Sequence, residues 1–116
     1  MEMIKEEIWK KILQEAAEQL RKAYGERLKA VILYGSVARG TQTEDSDVDI
    51  LILIDGTDAQ LREYEDKLSD VSTDLALKYR KVFSIMDVKY QEYQDWKSVF
   101  PFYRNVEREG ILLYQA

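Results

Sequence analysis

The amino-acid sequence predicts an α/β (α+β) fold, a mixed β-sheet packed by helices. Three features lead there: apolar runs of strand length, long amphipathic stretches, and the alternation of the two along 116 residues. A short continuous apolar run bounded by turn residues fits a buried strand. Apolar residues recurring three or four apart fit a helix with one buried face. The predicted order is α-β-loop-β-α-β-α-β, without repeats or linkers, which suits a single domain over residues 1–116.

Each element has its own justification. From Glu2 to Tyr24, Ile4, Ile8, Ile12, Ala16 and Leu20 stand four apart, with Trp9, Leu13 and Ala17 beside them. That is an amphipathic helix, and Gly25 suits the left-handed residue that ends it. Leu28–Tyr34 (LKAVILY) is a strand rich in β-formers. The segment from Gly35 to Ser46 is small and polar, a loop with room for one helical turn. Asp47–Ile54 (DVDILILI) is a strand with a wet start and a buried body. After Asp55-Gly56, Thr57 or Asp58 can cap a helix running to Tyr79, in which Leu61, Tyr64, Leu68, Val71, Leu75 and Tyr79 recur at helical spacing. Val82–Val88 is a third strand, Glu92–Val99 a short helix interrupted by Pro101, Phe102–Glu109 a further helix, and Ile111–Tyr114 a last strand. Strands two and three are joined by a full-length helix, so a right-handed crossover should make them parallel, with their starts at one edge.

Composition narrows the chemistry. The chain has no Cys and no His, which removes thiolate nucleophiles, zinc knuckles, imidazole bases and the Ser-His-Asp triad. Metal chemistry must use oxygen ligands, favouring Mg²⁺, Mn²⁺ or Ca²⁺. A net charge of −5 argues against direct nucleic-acid binding. The chain lacks an apolar run of membrane-spanning length and a signal peptide, so a cytoplasmic location is expected.

The sharpest motif is Tyr34-Gly35-Ser36, with ten residues between Ser36 and the Asp47-Val48-Asp49 triplet. Gly35 lets the backbone turn off the strand and approach a ligand closely. Ser36 then offers a hydroxyl and an amide at the start of a short helix, where phosphate is favoured. Asp47 and Asp49 are two apart, so both side chains leave one face of a strand. Two adjacent carboxylates repel, and a divalent cation relieves that repulsion while bridging to nucleotide phosphates.

Tyr34-Gly35-Ser36-Val37-Ala38-Arg39-Gly40 with Asp47-Val48-Asp49 resembles the signature of the nucleotidyltransferase superfamily that includes DNA polymerase β. It is most similar to the minimal nucleotidyltransferase branch. The tail, from Asp95-Trp96 through Pro101-Phe102-Tyr103-Arg104-Asn105-Val106 to Glu109-Gly110, resembles that branch too. The resemblance implies the polymerase-β-like nucleotidyltransferase fold. It also implies a triphosphate, most plausibly ATP, held by Gly35 and Ser36, and Mg²⁺ or Mn²⁺ held by Asp47 and Asp49. An acceptor hydroxyl would attack the α-phosphorus and release pyrophosphate. Proteins of this branch resemble antitoxins paired with a HEPN-domain ribonuclease toxin, some of which silence the toxin by attaching AMP to it. Arg39 either steadies a phosphate or closes the short helix at the surface.

The family pattern has a third carboxylate on the third strand. Asp87 is the one acid in Val82–Val88 and so the candidate. Parallel strands, however, place the partner of the first two carboxylates around Val82 to Ser84, and Asp87 is about 10 Å beyond Ser84 and on the opposite face. Glu44 and Asp45 read as loop solvation, and Lys78, Arg80 and Lys81 as a solvated helix end. The aromatic tail (Tyr90, Tyr93, Trp96, Phe100, Phe102, Tyr103, Tyr114) reads as core or as a protein interface, for a homodimer or a toxin partner. A fold that works by occlusion without catalysis is the alternative.

Overall fold

A computed structural model describes residues 2–43 and 45–116, with side chains from Glu7 onward. Glu44 and the side chain of Ile4 therefore lie outside the described residues. The four apolar runs pair into one mixed sheet in the order β3-β2-β1-β4. The strands are β1 (Leu28–Tyr34), β2 (Val48–Ile54), β3 (Phe83–Lys89) and β4 (Ile111–Gln115). β1 is antiparallel to both β2 and β4, and β2 and β3 are parallel as the long crossover requires.

Alternation along the strands sends side chains to two helical layers. Val31, Leu33, Val48, Ile50, Ile52 and Phe83 meet Ile12, Ala16 and Leu20 of α1 (Glu2–Tyr24), and Val71 and Leu75 of α4 (Glu65–Tyr79). Ala30, Ile32, Leu51, Leu53 and Val88 face the other way, against Tyr93 of α5 (Tyr90–Trp96) and Tyr103 and Val106 of α6 (Pro101–Glu109). β2 is buried on both faces, which explains why its body reads as an unbroken apolar run. Each fully buried Leu or Ile contributes about 1.5–3 kcal/mol. Among the described residues no helix is long and apolar enough to cross a membrane.

Several boundaries differ from expectation. The helix predicted over Asp58–Tyr79 is two helices, α3 (Asp58–Glu63) and α4, broken at Tyr64. Tyr64 adopts φ −94°, ψ 0°, and its ring stacks on Tyr24 at 4.7 Å. Thr57, rather than Asp58, caps α3: its hydroxyl accepts from the Gln60 amide, and the Gln60 side chain accepts from the Thr57 amide. β3 begins at Phe83, although the Val82 carbonyl already accepts from the Val48 amide. Ile8, part of the predicted α1 stripe, is 52% exposed because the core begins one turn later, at Ile12.

α1 and α4 are clamped by Glu15, which accepts hydrogen bonds from Lys78 Nζ at 2.7 Å and Tyr79 Oη at 2.6 Å. Those bonds, with Lys78 the larger influence, hold the Glu15 carboxyl below its ordinary value of 4.5. A carboxylate with a depressed folded-state pKa stabilises above its unfolded value and loses that contribution as pH falls through the folded one. Stability should therefore decline as the solution is acidified below about pH 4.5, and chemical denaturation of Glu15→Gln should show a shallower acid decline than the parent.

Candidate active site

The candidate site forms where the end of β1 meets the start of its antiparallel neighbour β2. β1 ends at Tyr34, whose partner across the antiparallel ladder is Asp49. Gly35 follows with φ +77°, a conformation that favours glycine. It opens α2 (Gly35–Arg39), which Gly40 ends in the left-handed region at φ +75°. A Cβ built on Gly35 would collide with Asp49 Oδ2. The bare turn thus lies directly against the carboxylate. Beyond α2 the loop is tied back by Thr41, whose amide donates to the Ser36 carbonyl at 3.0 Å, and by Thr43, whose amide donates to Ser46 Oγ at 2.8 Å.

Asp49 sits between Val48 and Ile50, which point into the α1–α4 core, so its own side chain leaves the α5–α6 face. Burial, followed by the neighbouring Asp47 charge, pushes its carboxyl above the usual range, and Arg39 opposes the shift. Tyr34 is pushed up as well, by burial first and the Asp49 charge second. Its ring meets Phe102 edge-on at 5.4 Å.

The parallel register decides the third position. Asp49 is opposite Ser84, and Ile52 is opposite Asp87. Phe83 lies in the α1–α4 core and Val88 in the α5–α6 core, so exposed Ser84 shares the face of Asp49 while Asp87 takes the other. Asp87 instead acts on Tyr24, whose buried, unpartnered hydroxyl is pushed upward by burial and then by the Asp87 charge. Asp87 thus lies three residues beyond Ser84 and on the face opposite Asp49, as an odd number of residues along a strand both displaces and inverts a side chain. Among the described residues no three carboxylates converge in a way that would hold a metal.

Gly35, Ser36, Asp47, Asp49 and Arg39 are brought together. Arg39 Nη1 lies 3.7 Å from Glu109 Oε2 at the end of α6. Ser84 opposite Asp49 and Glu109 beside Arg39 are not marked by the local motif: the first is not an acid, and the second stands seventy residues from Arg39 in the chain. Lys78 pairs with Glu15 and Lys81 lies over Trp9 at 4.8 Å, so these two members of the basic cluster have structural partners. Tyr93 and Tyr103 are core residues that donate to Glu107 and Glu92, whereas Trp96 and Phe100 are exposed.

Residues 13–111 match the nucleotidyltransferase domain family. The chain belongs to that family. A Methanocaldococcus jannaschii relative, assigned as a protein adenylyltransferase, is 40% identical over 104 residues, covering 90% of this chain and 96% of its own. A second, similarly assigned protein of that organism is 36% identical over 76 residues, covering 60% of this chain and 74% of its own. A crystal structure of a toxin–antitoxin with AMP-PNP contains a chain matching with a TM-score of 0.58 at 20% identity, over 89% of this chain and 73% of that one. A structure of tri-AMPylated Shewanella oneidensis HEPN toxin in complex with MNT antitoxin matches with a TM-score of 0.54 at 16% identity, over 92% and 73%. These structural likenesses show a shared nucleotidyltransferase fold, a mixed four-stranded sheet packed by helices.

The residues of the nucleotidyltransferase also fit a divalent cation. Asp47 and Asp49 are mutually repelling oxygen donors, Ser84 stands opposite Asp49 on the neighbouring strand, and the bare Gly35 lets the turn lie directly against the Asp49 carboxylate. An acid whose folded-state pKa is raised costs stability once pH exceeds its unfolded value. Asp49→Asn should therefore melt at a higher temperature than the parent at pH 7 in the presence of a chelator, and added Mg²⁺ should raise the melting temperature of the parent alone. Gly35→Ala should do the opposite, losing about 1–3 kcal/mol in denaturant titrations through the strained φ and the clash with Asp49.

Proposed function

We propose that this nucleotidyltransferase transfers AMP from ATP to a hydroxyl of a partner protein, a HEPN-type ribonuclease toxin, in the cytoplasm. The observation that carries the reading is the seating of the Gly35 turn against the Asp49 carboxylate. A backbone that approaches so closely, followed by Ser36 at the start of α2, suits a triphosphate lying beside the carboxylates. The relative assigned as a protein adenylyltransferase supports AMP as the group and protein as the acceptor. The toxin–antitoxin structures with AMP-PNP and with an AMPylated HEPN toxin support the partner.

In this reading Gly35 and Ser36 bind and orient the triphosphate through the backbone amide and hydroxyl. Asp47 and Asp49 would hold Mg²⁺, or Mn²⁺, which supplies charge neutralisation at the phosphates when bound. Arg39 adds a cation at the same end of the sheet. The acceptor hydroxyl attacks the α-phosphorus in line, a P–O bond to the acceptor forms, the bond to pyrophosphate breaks, and the hydroxyl proton leaves to solvent. Positioning and charge carry such a transfer, so it needs neither His nor Cys.

Incubation with labelled ATP, Mg²⁺ and the partner toxin should label the toxin. Asp47→Ala and Asp49→Ala should each reduce labelling by at least about a hundredfold, the order of a lost electrostatic catalytic group. The second reading, a fold acting by occlusion, rests on Ser84 standing where a third carboxylate is expected. It is favoured if both Ala variants still neutralise the toxin and no label is transferred.

A further inference from the structure

The tail motif that the active site does not absorb, Asn105 to Gly110, has a consistent geometry. Gly110 ends α6, and its amide donates to the Val106 carbonyl at 2.8 Å. Its φ of −69° is open to any residue, so conformation does not demand glycine there. Space does. A Cβ on Gly110 would strike the Val106 carbonyl and come within 2.7 Å of Ile32 Cγ2 and 3.4 Å of the Leu33 carbonyl. The end of α6 is therefore seated on β1, and the following residue, Ile111, pairs with Leu33, two residues before the Gly35 turn.

That seat delivers Glu109 to the active-site helix. Its Oε2 lies 3.7 Å from Arg39 Nη1, and its Oε1 lies 3.8 Å from Arg108 Nη2. Arg108 donates in turn to Asn105 Oδ1 at 2.8 Å. Asn105, Arg108 and Glu109 thus form a polar chain that terminates on Arg39. Arg39 closes α2, the short helix that the Gly35 turn opens beside Asp49. A guanidinium has five N–H donors, and one pairing with Glu109 leaves others for phosphate oxygens. A surface ion pair of this length adds little stability.

We propose that Glu109 is a positioning residue that aims Arg39 at the triphosphate, through a contact made possible by the close seat of Gly110. The inference rests on the nucleotide-binding reading above. In this arrangement Arg39 meets ATP without first being drawn from solvent, which favours binding more than the chemical step.

The test uses the full chain and calorimetric titration with AMP-PNP in Mg²⁺. Glu109→Gln should weaken binding by about three- to tenfold, the cost of a misplaced charge-assisted contact. In labelling assays the KM for ATP should rise with kcat nearly unchanged. Glu109→Asp should recover part of the affinity. Arg39→Ala should weaken binding at least as much, and the double variant should be no worse than Arg39→Ala alone. Unchanged or tighter binding by Glu109→Gln would overturn the inference, as would losses that multiply in the double variant. A lower melting temperature of Glu109→Gln at parental affinity would reduce Glu109 to a structural role and equally overturn it. A parent chain that does not bind AMP-PNP would bring down the AMP-transfer reading together with this one.

Discussion

Tyr34 and Asp49 pair across the β1–β2 ladder, and that pairing brings the bare Cα of Gly35 against the Asp49 carboxylate. Much of the site depends on this approach. A methyl group at position 35 would push Asp49 aside, and a one-residue slip of the ladder would turn Asp49 into the α1–α4 core. The register is protected by burial: Val48 and Ile50 on one face and Leu51 on the other leave Asp49 a single orientation. The apolar body of β2 therefore acts as the frame for its polar end. Close packing at the α6 terminus does similar work from the other side, where Gly110 lets the helix settle onto β1 and carry Glu109 to Arg39.

The electrostatics of the site run against the stability of the fold. Asp49 is partly buried and beside Asp47, and both effects raise the proton affinity of its carboxyl. Arg39 offsets part of that cost but is itself shared with Glu109. Unfavourable charge is thus concentrated at one end of an otherwise well-packed sheet. The contrast with Glu15 is instructive. There a carboxylate gains Lys78 and Tyr79 as donors, its pKa falls, and its contribution joins two helices.

The motif residues were legible because local chemistry exposes them. Gly35, Ser36, Asp47 and Asp49 have side chains, or a lack of one, that make sense only at a turn and at a wet strand end. Periodicity likewise showed α1 and the β2 body, since 3.6-residue and continuous apolar patterns survive without context. The break at Tyr64 was not legible, because its cause is a ring stacked on Tyr24, forty residues away in sequence. Asp87 shows how far topology can be reasoned from sequence. The parallel crossover already placed the third position near Ser84, and the observed register pairs Ser84 with Asp49.

By itself the sequence determined the fold class, the phosphate-suited turn and the carboxylate pair, because each is written in neighbouring residues. It also determined that this sequence contributes no imidazole or thiolate. Only the tertiary structure decided that Ser84, within the predicted Val82–Ser84 stretch, is the residue opposite Asp49, and that Glu109 reaches Arg39. Those facts depend on strand register and on how closely a helix end can approach a sheet. Both are set by packing between segments far apart in the chain, and spacing along one segment does not encode them.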